Sequence, residues 1–177
     1  MKKLLVVLFV LLAFSATPVS AGGGYVQLAH MSFSLPDYIS PVDVSTAHYA
    51  RFDCVPPDTC AVYADFLPVY DFFPDASQPT LAYVNSFESS LADGGIYTLS
   101  TGDVQTYRTS GHLAGDRVRF FVTSGGEDFA IDLYVTYGTD GGVRTLVYLR
   151  PAAWTLSADG NGQPIFERML DSLTIHS

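Results

Sequence analysis

The chain has 177 residues, with 18 acidic and nine basic side chains, a formal net charge of −9 and 48% hydrophobic residues. Both lysines stand at positions 2 and 3, so the rest of the chain carries seven arginines, no lysine and every acid. That balance repels phosphate backbones and anionic lipid surfaces, which argues against a nucleic-acid partner, and it removes the lysine that Schiff-base and P-loop chemistries need.

Residues 1–21 read as a cleaved export signal. Lys2 and Lys3 precede an apolar run from Leu4 to Phe14, and Val19-Ser20-Ala21 supplies a small-x-small cleavage site. The run is shorter than the roughly 20 residues of a membrane span, so the product is expected not to span a membrane. The expectation is a secreted or periplasmic protein, residues 22–177, folding as one α+β domain.

In chain order, Tyr25 to Leu35 reads as a strand with a break near His30, at a sheet edge. Asp37 to Pro41 reads as a loop around two prolines. Val42 to Phe52 and Cys60 to Leu67 read as a hairpin. Cys54 and Cys60 are the only cysteines. Five intervening residues are too many for a redox Cys-x-x-Cys, and no further metal ligands lie nearby. A structural disulfide across the Pro56-Pro57 loop is therefore expected.

Pro68 to Pro79 reads as a loop holding Tyr70, Phe72 and Phe73. Pro79 then opens a helix whose apolar stripe is Leu81, Val84, Phe87 and Leu91, stopped by Asp93-Gly94-Gly95. Ile96 to Ser100 and Val104 to Ser110 read as strands around a Gly102-Asp103 turn.

Arg117 to Arg150 is the organising stretch, three antiparallel strands in succession. Val118, Phe120 and Val122 alternate on the first, Phe129, Ile131, Leu133, Val135 and Tyr137 on the second, and Val143, Val147 and Leu149 on the third. Period two predicts one apolar sheet face, and Asp140-Gly141-Gly142 predicts a tight turn. A loop containing Trp154 follows, and Pro164 opens a last helix with Ile165, Phe166, Met169, Leu170 and Leu173 on its stripe. Both helices are expected to seal the apolar face that runs from Phe129 to Tyr137.

Three segments resemble the PsbP-like family, which shares its fold with the Mog1 and DcrB proteins. They are Phe33-Ser34-Leu35-Pro36, the helix from Thr80-Leu81 to Leu91, and Phe166-Glu167-Arg168-Met169-Leu170-Asp171-Ser172-Leu173. Asp37-Tyr38 stands where the family often has Gly-Trp. The resemblance implies an antiparallel β-sheet flanked by helices, an α/β/α sandwich of Mog1/PsbP type, and action by binding or assembly rather than catalysis.

The residues themselves show no catalytic constellation. Ser110-Gly111-His112 lacks a Gly-x-Ser-x-Gly elbow and reads as a turn. Asp159-Gly160-Asn161-Gly162-Gln163 starts like a calcium loop, but Pro164 and Leu170 stand where the pattern needs Gly and Glu. The four histidines, His30, His48, His112 and His176, lack metal-site spacing. Glu88, Glu127, Asp128 and Glu167 read as solvated acids. No cofactor and no metal is expected.

Two features carry the functional expectation. The second face of the three strands mixes Arg119, Asp132, Tyr134, Arg144, Tyr148 and Arg150. Cross-strand pairing of Asp132 with arginine, with a helix covering the apolar parts, would account for it; so would a pocket for a polar or anionic small ligand, since arginine forks suit carboxylate or phosphate. The aromatics Tyr70, Phe72, Phe73 and Trp154 are the candidate contact surface. The reading is an exported non-enzymatic protein-interaction or assembly module with a protein partner in the cell envelope. The alternative is a small-ligand binder using the mixed face.

Overall fold

A computed structural model describes residues 24–37, 39–43, 49–54, 60–68, 79–138, 142–156 and 162–176. The expected export signal, the Val55 to Thr59 loop, Tyr70, Phe72 and Phe73, the Asp140-Gly141 turn and Asp159 to Asn161 lie outside them.

The strands are β1 (Tyr25–Gln27), β2 (Met31–Ser34), β3 (Ile39–Asp43), β4 (Tyr49–Cys54), β5 (Ala61–Pro68), β6 (Tyr97–Thr101), β7 (Gln105–Arg108), β8 (Ala114–Ser124), β9 (Glu127–Tyr137), β10 (Gly142–Pro151) and β11 (Thr174–Ile175). The helices are α1 (Pro79–Asp93), α2 (Ala153–Leu156) and α3 (Gly162–Asp171). Among the described residues, eight strands make one antiparallel sheet. Its order is β3-β4-β5-β10-β9-β8-β6, with β7 also on β8. A second sheet has the order β1-β2-β11.

The central meander β8-β9-β10 forms as its alternation requires. Val118 pairs with Leu133 and Leu133 with Val147, so inward residues of all three strands share one face. The β8–β9 link is a two-residue turn in which Gly125 and Gly126 both have positive φ, 60° and 87°. That geometry matches the right-handed twist of the flanking strands, and only glycine adopts it without strain.

Helix α1 lies over this face, packing Tyr83, Val84, Phe87 and Leu91 against Phe120, Ile131, Leu133 and Val135. Leu81, assigned to the stripe from its spacing, is instead exposed. At the start of the helix Thr80 Oγ1 donates to Asp116 Oδ2 at 2.6 Å and lies 2.9 Å from the Tyr137 hydroxyl. At its end Gly95 sits at φ 76° and the Ile96 N–H returns to the Leu91 carbonyl at 2.9 Å. This is the left-handed glycine stop that the Gly94-Gly95 pair predicts.

Helix α3 does not join α1. It packs on the opposite face with the small sheet, where Phe166, Met169 and Leu170 meet Phe33, Phe52, Tyr134 and Tyr148. The expectation that both helices seal one side is therefore corrected. The mixed face also carries enough apolar area to need a cover, and α3 with β1-β2-β11 provides it. The layers are α1, the large sheet, then α3 beside the small sheet: an α+β sandwich.

Local assignments shift in four places. Asp37 to Pro41 is not wholly loop, because Ile39–Asp43 is strand β3 paired to β4. Pro41 is tolerated there because β3 ends the sheet, where a missing N–H breaks no ladder on its outer side. Tyr25 to Leu35 does not edge the main sheet; it folds at Leu28 to His30 into the β1–β2 hairpin. Residues 153–156 form α2 within the expected loop, and α3 begins at Gly162, two residues before Pro164. Proline in the first helical turn leaves no intrahelical bond unmade. Cys54 and Cys60 are disulfide-bonded, with Cα atoms 5.1 Å apart.

Candidate functional site

The mixed face brings its arginines together around one carboxylate. Arg119 stands opposite Asp132 in the β8–β9 register. Its Nε donates to Oδ1 at 2.8 Å and its Nη2 to Oδ2 at 3.2 Å. Arg150 Nη1 donates to Oδ2 from the other flank, on β10. Arg117 Nη2 reaches Oδ1 at 3.4 Å, and its Nη1 reaches Glu167 Oε1 on α3 at 3.2 Å. Arg117 thus ties the helix to the sheet through charge, and its guanidinium also lies 5.4 Å over the Phe166 ring.

Asp132 and Arg150 are fully buried. Burial pulls the Arg150 guanidinium below its ordinary pKa, while the charge and hydrogen bond of Asp132 oppose this. Nε and Nη2 of Arg150 have no hydrogen-bond partner among the described residues. Its guanidinium stacks 5.3 Å over the Tyr148 ring, which covers the plane without satisfying those N–H groups. The pair is held by geometry at the expense of desolvation, as buried ion pairs generally are.

Arg144 has a different role. Its Nη1 donates to the Gly142 carbonyl at 2.8 Å, its Nη2 to the His176 carbonyl at 3.0 Å, and its Nε to the His30 carbonyl at 3.4 Å. It clamps the small sheet onto the large one by filling two carbonyls at one end of the β2–β11 pair, where the His176 N–H also donates to the His30 carbonyl. Its guanidinium lies 4.8 Å over Phe66, whose ring stacks on His30 at 3.7 Å.

Tyr134 and Tyr148, read as pocket walls from the sequence, are interior. Tyr148 stacks on Phe166 at 6.1 Å between ring centres. The Tyr134 hydroxyl donates to the Leu113 carbonyl at 3.3 Å, and burial pushes its pKa up to about 12. A Cβ at Gly115 would stand 2.5 Å from the Tyr134 ring, so glycine is what lets that ring lie against β8. Of the six residues proposed for a ligand, Asp132, Tyr134, Arg144, Tyr148 and Arg150 are buried beneath α3 and the small sheet, and Arg119 keeps 24% of its side chain exposed. The sequence left open whether this face is a pocket or a covered layer; α3 covers it because Phe166 needs an apolar seat.

The remaining candidates disperse. Trp154 is half-buried and packs on the α3 side of the core, so it is no exposed anchor. Ser110-Gly111-His112 is a turn with His112 at φ 66°, docked on α3 by the Ser110 N–H to Asp171 Oδ1 at 2.9 Å. Glu88 accepts from the Thr101 hydroxyl and Glu167 from Arg117, so these two acids serve separate elements. Among the described residues no group of three or more His, Cys, Asp or Glu is placed to hold a metal ion.

Two features escaped the sequence. His176 Nε2 lies 2.9 Å from Ser32 Oγ, which also accepts from the Tyr25 hydroxyl at 2.5 Å. A hydroxyl and an imidazole in contact invite a catalytic reading, but Ser32 is fully buried and out of reach of any substrate. The contact ties β11 to β2 instead. The second feature is the β6 edge. All five residues of β6 are exposed, with Tyr97 at 64% and Leu99 at 58%, and Val104 beside them is exposed too. The only sequence signal was a strand without charges, Tyr97-Thr98-Leu99-Ser100-Thr101.

The architecture is that of the Mog1/PsbP-type fold. The chain is similar to the Ran-binding protein Mog1p of Saccharomyces cerevisiae, with a TM-score of 0.56 and 13% identity over 88% of this chain and 96% of that one. It is similar to the PsbP protein of Synechocystis (CyanoP), with a TM-score of 0.59 and 13% identity over 93% and 99%. It is also similar to LpqN of Mycobacterium tuberculosis, involved in cell envelope biogenesis, with a TM-score of 0.51 and 14% identity over 88% and 86%. No family model matches the chain, and no curated protein matches it by sequence.

Proposed function

We propose that this chain is an exported, non-enzymatic protein-interaction or assembly module of the cell envelope. The observation that carries this reading is a contrast between the buried mixed face of the sheet and its β6 edge. The ionic groups of the mixed face are spent on internal pairing around Asp132. Tyr97 and Leu99 on the outermost strand β6, next to β8, and Val104 shortly after it in sequence stand exposed. Buried, paired charges hold a scaffold, whereas exposed apolar residues grouped along one strand mark contact surfaces. The fold is shared with a Ran-binding protein and with a protein of cell envelope biogenesis, which supports a role by contact. Export rests on the signal pattern of residues 1–21 and on the Cys54–Cys60 disulfide, a bond that persists outside the cytosol.

The test is reconstitution. The chain recovered from its native envelope should begin at Gly22 by N-terminal sequencing. It should elute in a complex with a second protein that re-forms from the two purified components. A chain that elutes as a monomer throughout, with a melting temperature raised strongly by a small anion, would instead favour the ligand-binding alternative. The burial of Tyr134, Tyr148 and Arg150 weighs against that alternative.

A further inference from the structure

We propose that the outer edge of β6 is the docking site for an extended, lysine- or arginine-bearing segment of a partner protein, which adds to the large sheet as a strand beside Tyr97 to Thr101. This deepens the interaction reading and rests on it.

Strand β6 ends the sheet and pairs only with β8 among the described residues. Its outer row of backbone N–H and C=O groups is therefore a template for another strand. Natural edges are blunted by charged side chains, prolines or bulges; β6 has no charge and no proline, and its one irregularity is the bulge at Leu99. The register shift between Thr98 and Ser100 inserts Leu99 as an extra residue. Tyr97 and Leu99 are both more than half exposed and give an incoming strand apolar purchase. Main-chain hydrogen bonds with side-chain contacts on alternate positions are the usual terms of strand addition.

Charge selects the occupant. Asp93 precedes the strand and Asp103 follows it, both exposed. An uncharged strand with an exposed carboxylate before it and another after it in the chain suits a segment with apolar residues at its centre and cations flanking them. A second copy of this chain would bring the same acids and a net charge of −9 to the contact, so self-pairing is opposed. Anionic lipid is opposed for the same reason.

The experiment is selection of short peptides from a random displayed library on the purified, disulfide-intact chain, followed by binding of the enriched peptides in solution. Enriched peptides should alternate apolar and polar residues and carry lysine or arginine. They should protect the amides of 97–101 from hydrogen exchange. Tyr97→Ser with Leu99→Ser should weaken binding about tenfold or more, while a matched thermal melt shows the variant folded. Asp93→Asn with Asp103→Asn should weaken it several-fold and flatten its salt dependence. Failure to enrich any peptide, enrichment of acidic or uncharged peptides, binding indifferent to the Tyr97/Leu99 variant, or dimerisation of the chain that Leu99→Lys abolishes would each overturn the proposal. If the complex reconstituted from the envelope survives the Tyr97/Leu99 variant, the β6 site falls and the interaction reading stands. If no complex exists, both fall.

Discussion

Arg119 grips Asp132 with two hydrogen bonds across the β8–β9 pair, Nε to Oδ1 at 2.8 Å and Nη2 to Oδ2 at 3.2 Å. The same carboxylate holds Arg150, a guanidinium wholly out of water. Removing the acid leaves a buried cation without its counter-charge, whereas removing the cation relieves a desolvation cost. Asp132→Ala is therefore expected to destabilise by about 3–5 kcal/mol. Arg150→Met, which keeps the volume, removes the unpartnered Nε and Nη2 and leaves Asp132 held by Arg119, is expected to be neutral or stabilising. Urea midpoints of both variants decide the matter; equal losses in the two would refute the asymmetry.

Phe166 is the apolar seat of α3. It is fully buried, stacks on Tyr148 and lies under the Arg117 guanidinium. Phe166→Ala is expected to cost about 3–5 kcal/mol through the cavity and the lost ring contacts. Because α3 covers the mixed face, the same change should expose Tyr134 and Tyr148 to solvent quenchers before global unfolding. A variant with an unchanged urea midpoint would show that α3 is not the cover.

Asp65 lies on β5, paired in register with Thr145 on one side and Tyr49 on the other. Burial raises its pKa from 3.8 to about 7, opposed by the Phe66 N–H at 2.8 Å. A folded-state pKa above the unfolded one means the native state keeps a proton that the unfolded chain releases. This contribution is intact below about pH 4 and is lost as pH rises towards 7. Asp65→Asn should match the wild type near pH 4 and exceed it at pH 8 by roughly 2–4 kcal/mol. Chemical denaturation of both proteins at the two pH values reads this directly, and a gap that does not grow with pH would count against it.

The Cys54–Cys60 bond closes a short loop between β4 and β5, and Cys54 N–H also donates to the Cys60 carbonyl at 2.9 Å. Because that backbone bond holds the loop ends without the staple, Cys54→Ser with Cys60→Ser should fold. Its stability should fall by about 2 kcal/mol, chiefly through the freed unfolded chain. Failure of this double variant to fold would show that the loop ends do not hold without the staple.

The central meander, the glycine stop of α1, the disulfide and the type of fold were legible in the sequence. Each follows from forces between residues close along the chain: side-chain alternation, helix stops and the short reach of a cysteine pair. The layout of the candidate site was not. The lack of charge in β6 does not by itself say that this strand ends the sheet among the described residues, whereas β10 is flanked on both sides. Tyr134 and Tyr148 look like pocket walls until Phe166, from a helix beginning 14 residues beyond Tyr148, settles over them. The alternation put Asp132 and the arginines on one face and offered cross-strand pairing as one account of them, beside a ligand pocket. Only the pairing of β8, β9 and β10 with the cover of α3 decided that these charges face each other. That decision belongs to tertiary structure because it turns on which distant surfaces exclude water together, a free energy that no single stretch of the chain carries.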